Sequence, residues 1–234
     1  MEKYCSKCGK KLVDGKCLSC AKECSLSNNG IINRKALKEV AKEKLNGNMW
    51  TIWKPLLVLM LAGSLGGAIL GCAEEGSGLY FLLNLLTSLA VVPLSFGVSK
   101  YILDFVRGKE FDFDKLFDYY KSNVVNILLL SFLTTLFISL WSILLIIPGI
   151  IAALSYSMCT YIFVDGEHTE PMEVINESKR MTYGYKWDLF VFGLSFIGWI
   201  LLSFLFIPVI YVVPYVTVAN AMYYDELKKI KEME

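Results

Sequence analysis

Four cysteines near the start of the chain have the one spacing that predicts specific chemistry. In "CSKCGKKLVDGKCLSC", Cys5, Cys8, Cys17 and Cys20 form two C-x-x-C pairs eight residues apart, with Asp14-Gly15 as a hairpin turn between them. Tetrahedral zinc needs four thiolates converging at about 2.3 Å, and two short knuckles held by a hairpin supply them. Four protein ligands close the coordination sphere, so the expected Zn is structural and has no open position for a catalytic water. The competing readings are two disulfides or idle thiols. A reducing side of a membrane disfavours disulfides, and so few apolar residues fold no module without a metal. Cys24 lies off the spacing, while Cys72 and Cys159 read as packing residues.

No other grouping suggests catalysis. The single histidine, His168, sits in an acidic stretch with Glu167 and Glu170 and has no nucleophile nearby in sequence, so it reads as a solvated loop residue. Asp165, Glu167, Glu170 and Glu173 match no compact calcium loop and read as a solvated acidic face. The chain is therefore not expected to be an enzyme.

What must position the cysteine module is a body that water alone does not accommodate. Of the 234 residues, 55% are hydrophobic and 14% aromatic, more than a soluble surface hides. Charge-free runs cover Pro55–Ala73 (19 residues) and Gly76–Ser99 (24), each enough to cross a hydrocarbon core of roughly 30 Å. Ser122–Val164 (43 residues) is about twice too long for one span, so Ile147-Pro148-Gly149 is the expected corner of a hairpin. Leu189–Tyr224 (36 residues) reads likewise, broken near Ile207-Pro208 with a kink at Pro214. The expected fold is an all-α polytopic membrane protein. It has six transmembrane helices in three hairpins, at about 53–73, 79–99, 124–146, 148–164, 189–207 and 208–224, with cytoplasmic amphipathic helices and the small N-terminal zinc ribbon. Residues 1–24 form the ribbon, 25–33 a polar linker and 34–234 the membrane domain.

Charge supports this threading. With six spans, one side receives residues 1–54, about 100–121, 165–188 and 225–234, and all 23 Lys and Arg fall there or at its boundary. Basic residues in short loops stay on the cytoplasmic side, so both termini are expected in the cytoplasm of a multi-pass cell-membrane protein. The first apolar stretch begins at residue 55, which argues against a cleaved leader.

Three cytoplasmic segments have helical periodicity. In residues 34–45, Leu37, Val40, Ala41 and Leu45 share one face, with Asn33 as cap and Gly47 beyond the end, and either lipid or protein can cover that face. Phe113, Leu116, Phe117 and Tyr120 repeat the pattern after Asp112. Pro171 opens a third helix with Met172 and Ile175 as its apolar pair and Gly184 as its stop. Gly47-Asn48-Met49-Trp50 and Gly184-Tyr185-Lys186-Trp187 share a glycine-to-tryptophan spacing just before a span, where tryptophan favours the interface. Together these suggest a threefold repeat of interfacial helix plus hairpin.

"VVPLSFGVSKYILDFVRGKEFDFDKLFDYYK", "LWSILLIIPGIIAALSYSM" and "YGYKWDLFVFGLSFIGWILL" resemble domain-of-unknown-function family 975, bacterial integral membrane proteins, over roughly residues 33–226. The resemblance implies a location and a membrane fold, and no activity or catalytic residues; the ribbon is an addition to the family pattern.

The sequence-based expectation for function is a membrane-anchored adaptor or regulator, its ribbon presented to a cytoplasmic protein partner and its helices held by the lipid bilayer. The alternative is a permease or lipid-handling protein for neutral or lipid cargo. Ion coupling is disfavoured because the expected spans hold no Asp, Glu, Arg or His and only Lys54, at the very edge of the first. Nucleic acid is not an expected partner, since the lysines of the first 22 residues have only Tyr4 among them as an aromatic.

Overall fold

The computed structural model describes residues 26–28, 31–109, 113–121, 123–166, 168–198 and 209–233. Cys5, Cys8, Cys17, Cys20 and Cys24 lie outside the described residues, as do Asp112, Glu167 and the Ile207-Pro208 break.

The described chain starts with a miniature hairpin, β1 (Ser27–Asn28) antiparallel to β2 (Ile31–Ile32), with Ser27 opposite Ile32. It lies within the stretch expected to be a polar linker. Leu26 and Ile32 are 2% and 3% exposed, so two apolar residues in a polar stretch are enough to hold the segment on the protein. Helix α1 (Arg34–Leu45) follows, and the Asn33 side chain accepts from the Ala36 amide at 3.2 Å. Its buried residues are Leu37, Val40, Ala41 and Leu45, the four that periodicity picks out. They pack on protein: α1 lies against the C-terminal helix.

Among the described residues, four helical stretches are long and apolar enough to cross a membrane. They are α2 (Met49–Leu70), α3 (Gly78–Val106), α4 (Val124–Leu144), and α5 (Ile146–Tyr156) with α6 (Cys159–Asp165) taken together. The protein is therefore a multi-pass helical membrane protein. Helices α2 and α3 pair as a hairpin, with Gly66 facing Thr87, and α4 and α5 as a second.

The corner of the second hairpin falls earlier than expected. The chain is extended at Leu145 (φ −160°, ψ 143°), and Pro148 sits inside the first turn of α5. A helical proline lacks the N–H owed to the carbonyl four residues back, and its ring clashes with that carbonyl. Residue 144 carries that carbonyl, so α4 ends there, and a proline in a first turn costs nothing. Gly149 then lets α5 close on α4: a Cβ there would stand 2.9 Å from the Ser142 Cα.

Two further expectations need correction. Residues Asp114–Tyr120 form a 3-10 helix, in which positions three apart eclipse. Leu116 is 1% exposed and Tyr119 packs against the same core, whereas Phe113, Phe117 and Tyr120 are 37–44% exposed. In α7 (Pro171–Thr182), Pro171 is the first helical residue as expected, but Met172 is exposed and the buried face is Val174, Ile175, Ser178 and Met181. Helix α8 (Lys186–Leu194) leads away from it, and α9 (Val209–Met233) closes the described chain.

The main core gathers at one end of the helices. Ile52, Trp53 and Leu56 of α2, residues 94–106 of α3, Ile127 and Leu130 of α4, Ile162–Val164 of α6 and the length of α9 pack there. The far halves of α2, α3 and α4 have exposed Leu61, Leu65, Phe81, Leu85, Leu140 and Leu144, apolar surface suited to lipid.

Candidate functional site

At the packed end, charged residues that follow the apolar runs come together. Arg107 follows α3, Asp165 ends α6, and Asp225 and Lys228 lie on α9. Arg107 grips Asp165 with two guanidinium nitrogens, Nη1 to Oδ1 and Nη2 to Oδ2 (3.0 Å), while its Nε donates to Asp225 Oδ1 at 2.8 Å. Lys228 Nζ and the Tyr224 hydroxyl (3.1 Å) also donate to Asp165 Oδ2. The Asp165 side chain is only 6% exposed, so it is not part of a solvated acidic face. The hydrogen bond to Asp165 pushes the Arg107 pKa further above its ordinary value, which leaves the guanidinium charged throughout.

Other contacts extend this polar layer. Asp188 bridges Arg34 of α1 (3.2 Å) and the Tyr223 hydroxyl of α9 (2.8 Å). Lys44 Nζ donates to the Val106 carbonyl at 3.0 Å, placing a cation on the C-terminal end of α3. Lys38 lies over Phe196 (4.7 Å to the ring centre) and Lys42 over Tyr215 (5.6 Å). Burial, then Arg34 and Lys42, lowers the Lys38 pKa. Burial beside Asp104, Asp118 and Asp165 pushes the Tyr119 phenol up to about 12, and its hydroxyl reaches the Val164 carbonyl at 3.5 Å.

A cavity of about 240 Å³ opens beside Arg107, bounded by Leu26, Lys44, Met222, Asp225 and Lys229. The segment that leads back to the cysteine module thus touches the ion-paired layer.

Chemically this layer is a clamp. Arg107 and Asp165 neutralise one another in a nearly dry setting, and the group ties three helices that lie far apart in sequence. Among the described residues, no three His, Cys, Asp or Glu side chains are placed to hold a metal ion. His168 lies 3.5 Å from Glu173 with both side chains exposed. Cys159 is buried as expected of a packing residue, whereas Cys72 is exposed, its thiol directed to the Ala68 carbonyl. Hydroxyls within the spans bond to their own helices: Thr87 to Leu83, Ser88 to Asn84, Thr134 to Leu130 and Ser155 to Ile151, at 2.7–2.9 Å. The clamp escapes a reading of sequence motifs because the residues it pairs are 58 or more positions apart. One signal does point to it: Asp165 and Asp225 are the first charged residues after separate apolar runs, and Arg107 lies beyond the end of a third.

Helices of this length and composition, fastened by ion pairs at one end, define a multi-pass helical membrane protein. Within that class the chain belongs to the family described as "Protein of unknown function (DUF975)", whose model matches residues 31–153 and 143–231. Neither a curated protein nor a solved structure matches the chain.

Proposed function

We propose that this protein is a membrane-anchored adaptor or regulator, in which the N-terminal cysteines hold structural zinc and the ribbon they form engages a cytoplasmic protein. One observation carries the reading. Leu26 and Ile32, which join the cysteine module to α1, are buried at the ion-paired end of the bundle. A module joined to such a fastened segment begins beside the bundle, which suits a recognition role. Two hairpins are completed by a third built on α8 and α9, giving six spans, and the sorting of all 23 Lys and Arg to one side sets both termini in the cytoplasm of a cell-membrane protein. The permease alternative draws less support, because the span hydroxyls cited above are spent on their own backbones.

The test is a crosslinking pull-down from native membranes that compares the intact protein with a Cys5→Ser, Cys8→Ser variant, with bound zinc quantified in both. Loss of zinc together with loss of a specific partner is expected. Retention of every partner after zinc is lost refutes the adaptor reading, and zinc-free intact protein refutes the metal site.

A further inference from the structure

Two corners of this protein share one backbone geometry. At the end of α1, Asn46 has φ −64° and ψ 116°, Gly47 has φ +84°, and Asn48 has φ −116° and ψ 13°. At the end of α7, Tyr183 has φ −64° and ψ 126°, Gly184 has φ +88°, and Tyr185 has φ −109° and ψ 0°. Both match a type II turn, and both close with the expected hydrogen bond, Asn48 N to Leu45 O at 2.9 Å and Tyr185 N to Thr182 O at 3.0 Å. The elements around the corners also match. Each follows a 12-residue amphipathic helix with basic residues in its last turn, Lys42 and Lys44 or Lys179 and Arg180, and each opens an apolar helix. Three residues after each glycine stands a tryptophan that the protein leaves uncovered: Trp50 is 68% exposed and Trp187 73%.

Exposed indoles need an explanation, because Trp53, one turn beyond Trp50, is treated in the opposite way. It is 7% exposed, and its Nε1 donates to the Ile210 carbonyl at 2.8 Å. An indole has a large apolar body and one N–H donor. It is best accommodated where hydrocarbon meets lipid carbonyls and headgroups. On α2 the exposed Trp50 and Lys54 border the exposed apolar surface that begins at Leu57, so that boundary layer is the environment the position offers. At the far end of α4, Trp141 is 46% exposed about 26 Å from Val124, a distance close to one hydrocarbon thickness.

We propose that the two corners are copies of one depth-setting device, which seats Trp50 and Trp187 at the same level in the interfacial layer on one side of the bilayer. The phospholipid carbonyl and headgroup region is the partner of both rings. The turn fixes the angle between an in-plane amphipathic helix and the helix that follows, and the tryptophan fixes the height of that corner. The inference rests on the four apolar helices and, for Trp187, on the third hairpin proposed above, and it is independent of the zinc ribbon.

The test uses the full chain reconstituted in phosphatidylcholine vesicles, with Trp50→Phe, Trp187→Phe and the double variant. Tryptophan emission is quenched by lipids brominated near the carbonyls, by lipids brominated near the chain ends, or by aqueous iodide. Shallow bromines are expected to quench a component that each single variant loses by the same amount and the double variant loses twice over. Chain-end bromines and iodide are expected to act weakly on that component. Quenching by iodide alone overturns the proposal in favour of aqueous corners. Insensitivity to all three quenchers overturns it in favour of contact between protein copies. Unequal depths for the two rings refute the shared device. Phenylalanine keeps a ring at each site, and unchanged far-ultraviolet circular dichroism identifies variants that remain folded. Should one single variant unfold, the loss in the other still reads the depth of its own ring.

Discussion

Replacing Asp165 with asparagine tests the clamp directly. The substitution keeps the volume of the side chain and removes the charge that Arg107, Lys228 and the Tyr224 hydroxyl share. Removing one partner of a buried ion pair costs roughly 3–5 kcal/mol, because the other charge is left without compensation. Here Arg107 keeps Asp225, and the Arg107 and Lys228 side chains are 16% and 18% exposed, so some water reaches the bereft charges. The lower end of the range applies: about 3 kcal/mol, on the order of a hundredfold in the folding equilibrium. The assay is reversible unfolding of the purified protein in mixed micelles, followed by circular dichroism, for Asp165→Asn, Arg107→Gln and the double variant. Because the two groups are in contact, the double variant should lose less than the sum of the singles by about 1 kcal/mol or more. A single-variant loss below about 1 kcal/mol, or additivity within about 0.5 kcal/mol, would refute the clamp and class these groups with ordinary surface pairs.

Gly97→Ala and Gly149→Ala should each destabilise by about 1–3 kcal/mol in the same assay, since the new methyl meets backbone that has no easy retreat: the Leu116 carbonyl carbon at 3.0 Å, or the Ser142 Cα at 2.9 Å. Gly47→Ala and Gly184→Ala meet no atom within 4 Å, yet both lie at positive φ, so each should cost about 1–2 kcal/mol from backbone strain alone and by closely similar amounts. Acid melts should reveal the Glu177–Arg180 pair, in which hydrogen bonds of 2.8 and 2.7 Å from the guanidinium hold the Glu177 carboxyl below the usual glutamate range. The unfolded chain takes up that proton first, so the contribution is full above the ordinary glutamate pKa and fades as pH falls through the lower folded value. The stability difference between the native chain and Arg180→Gln should therefore shrink on acidification; a constant difference contradicts the pairing.

Helix α1 was legible residue by residue because its signals are local. Asn33 caps it, Leu37, Val40, Ala41 and Leu45 recur at helical spacing, and Gly47 supplies the positive φ after it. The start of α7 at Pro171 was legible for the same reason. Local rules fell short where competing geometries share a pattern. Phe113, Leu116, Phe117 and Tyr120 fit an α-helical stripe, but a 3-10 turn places Tyr119 with Leu116 and leaves the other aromatics outside. At the second hairpin, a proline acts on the carbonyl four residues before it, so the break belongs to Leu145 although the visible residues are Pro148 and Gly149. The clamp required knowing which helix ends meet, and that is a property of the fold, not of any one segment.

The clamp also explains why the charge-free spans stay assembled. Between helices in lipid there is little hydrophobic drive to associate, because the acyl chains are as apolar as the side chains they would replace. The far halves of α2 and α3 touch mainly each other, through pairs such as Gly66 and Thr87, and leave Leu61, Leu65, Phe81 and Leu85 outside. Long-range order must then come from the other end. There Arg107, Asp165, Asp225 and Lys228 join α3, α6 and α9, and Lys44 fastens α1 to the last carbonyl of α3. Leu26 lines the cavity beside this layer, so the segment that precedes α1 rests against the joint that sets helix against helix. Fastening of that kind needs no ionisable group deep in the membrane. It needs a packed end with few alternative arrangements, and a nearly dry carboxylate shared by Arg107, Lys228 and Tyr224 supplies one.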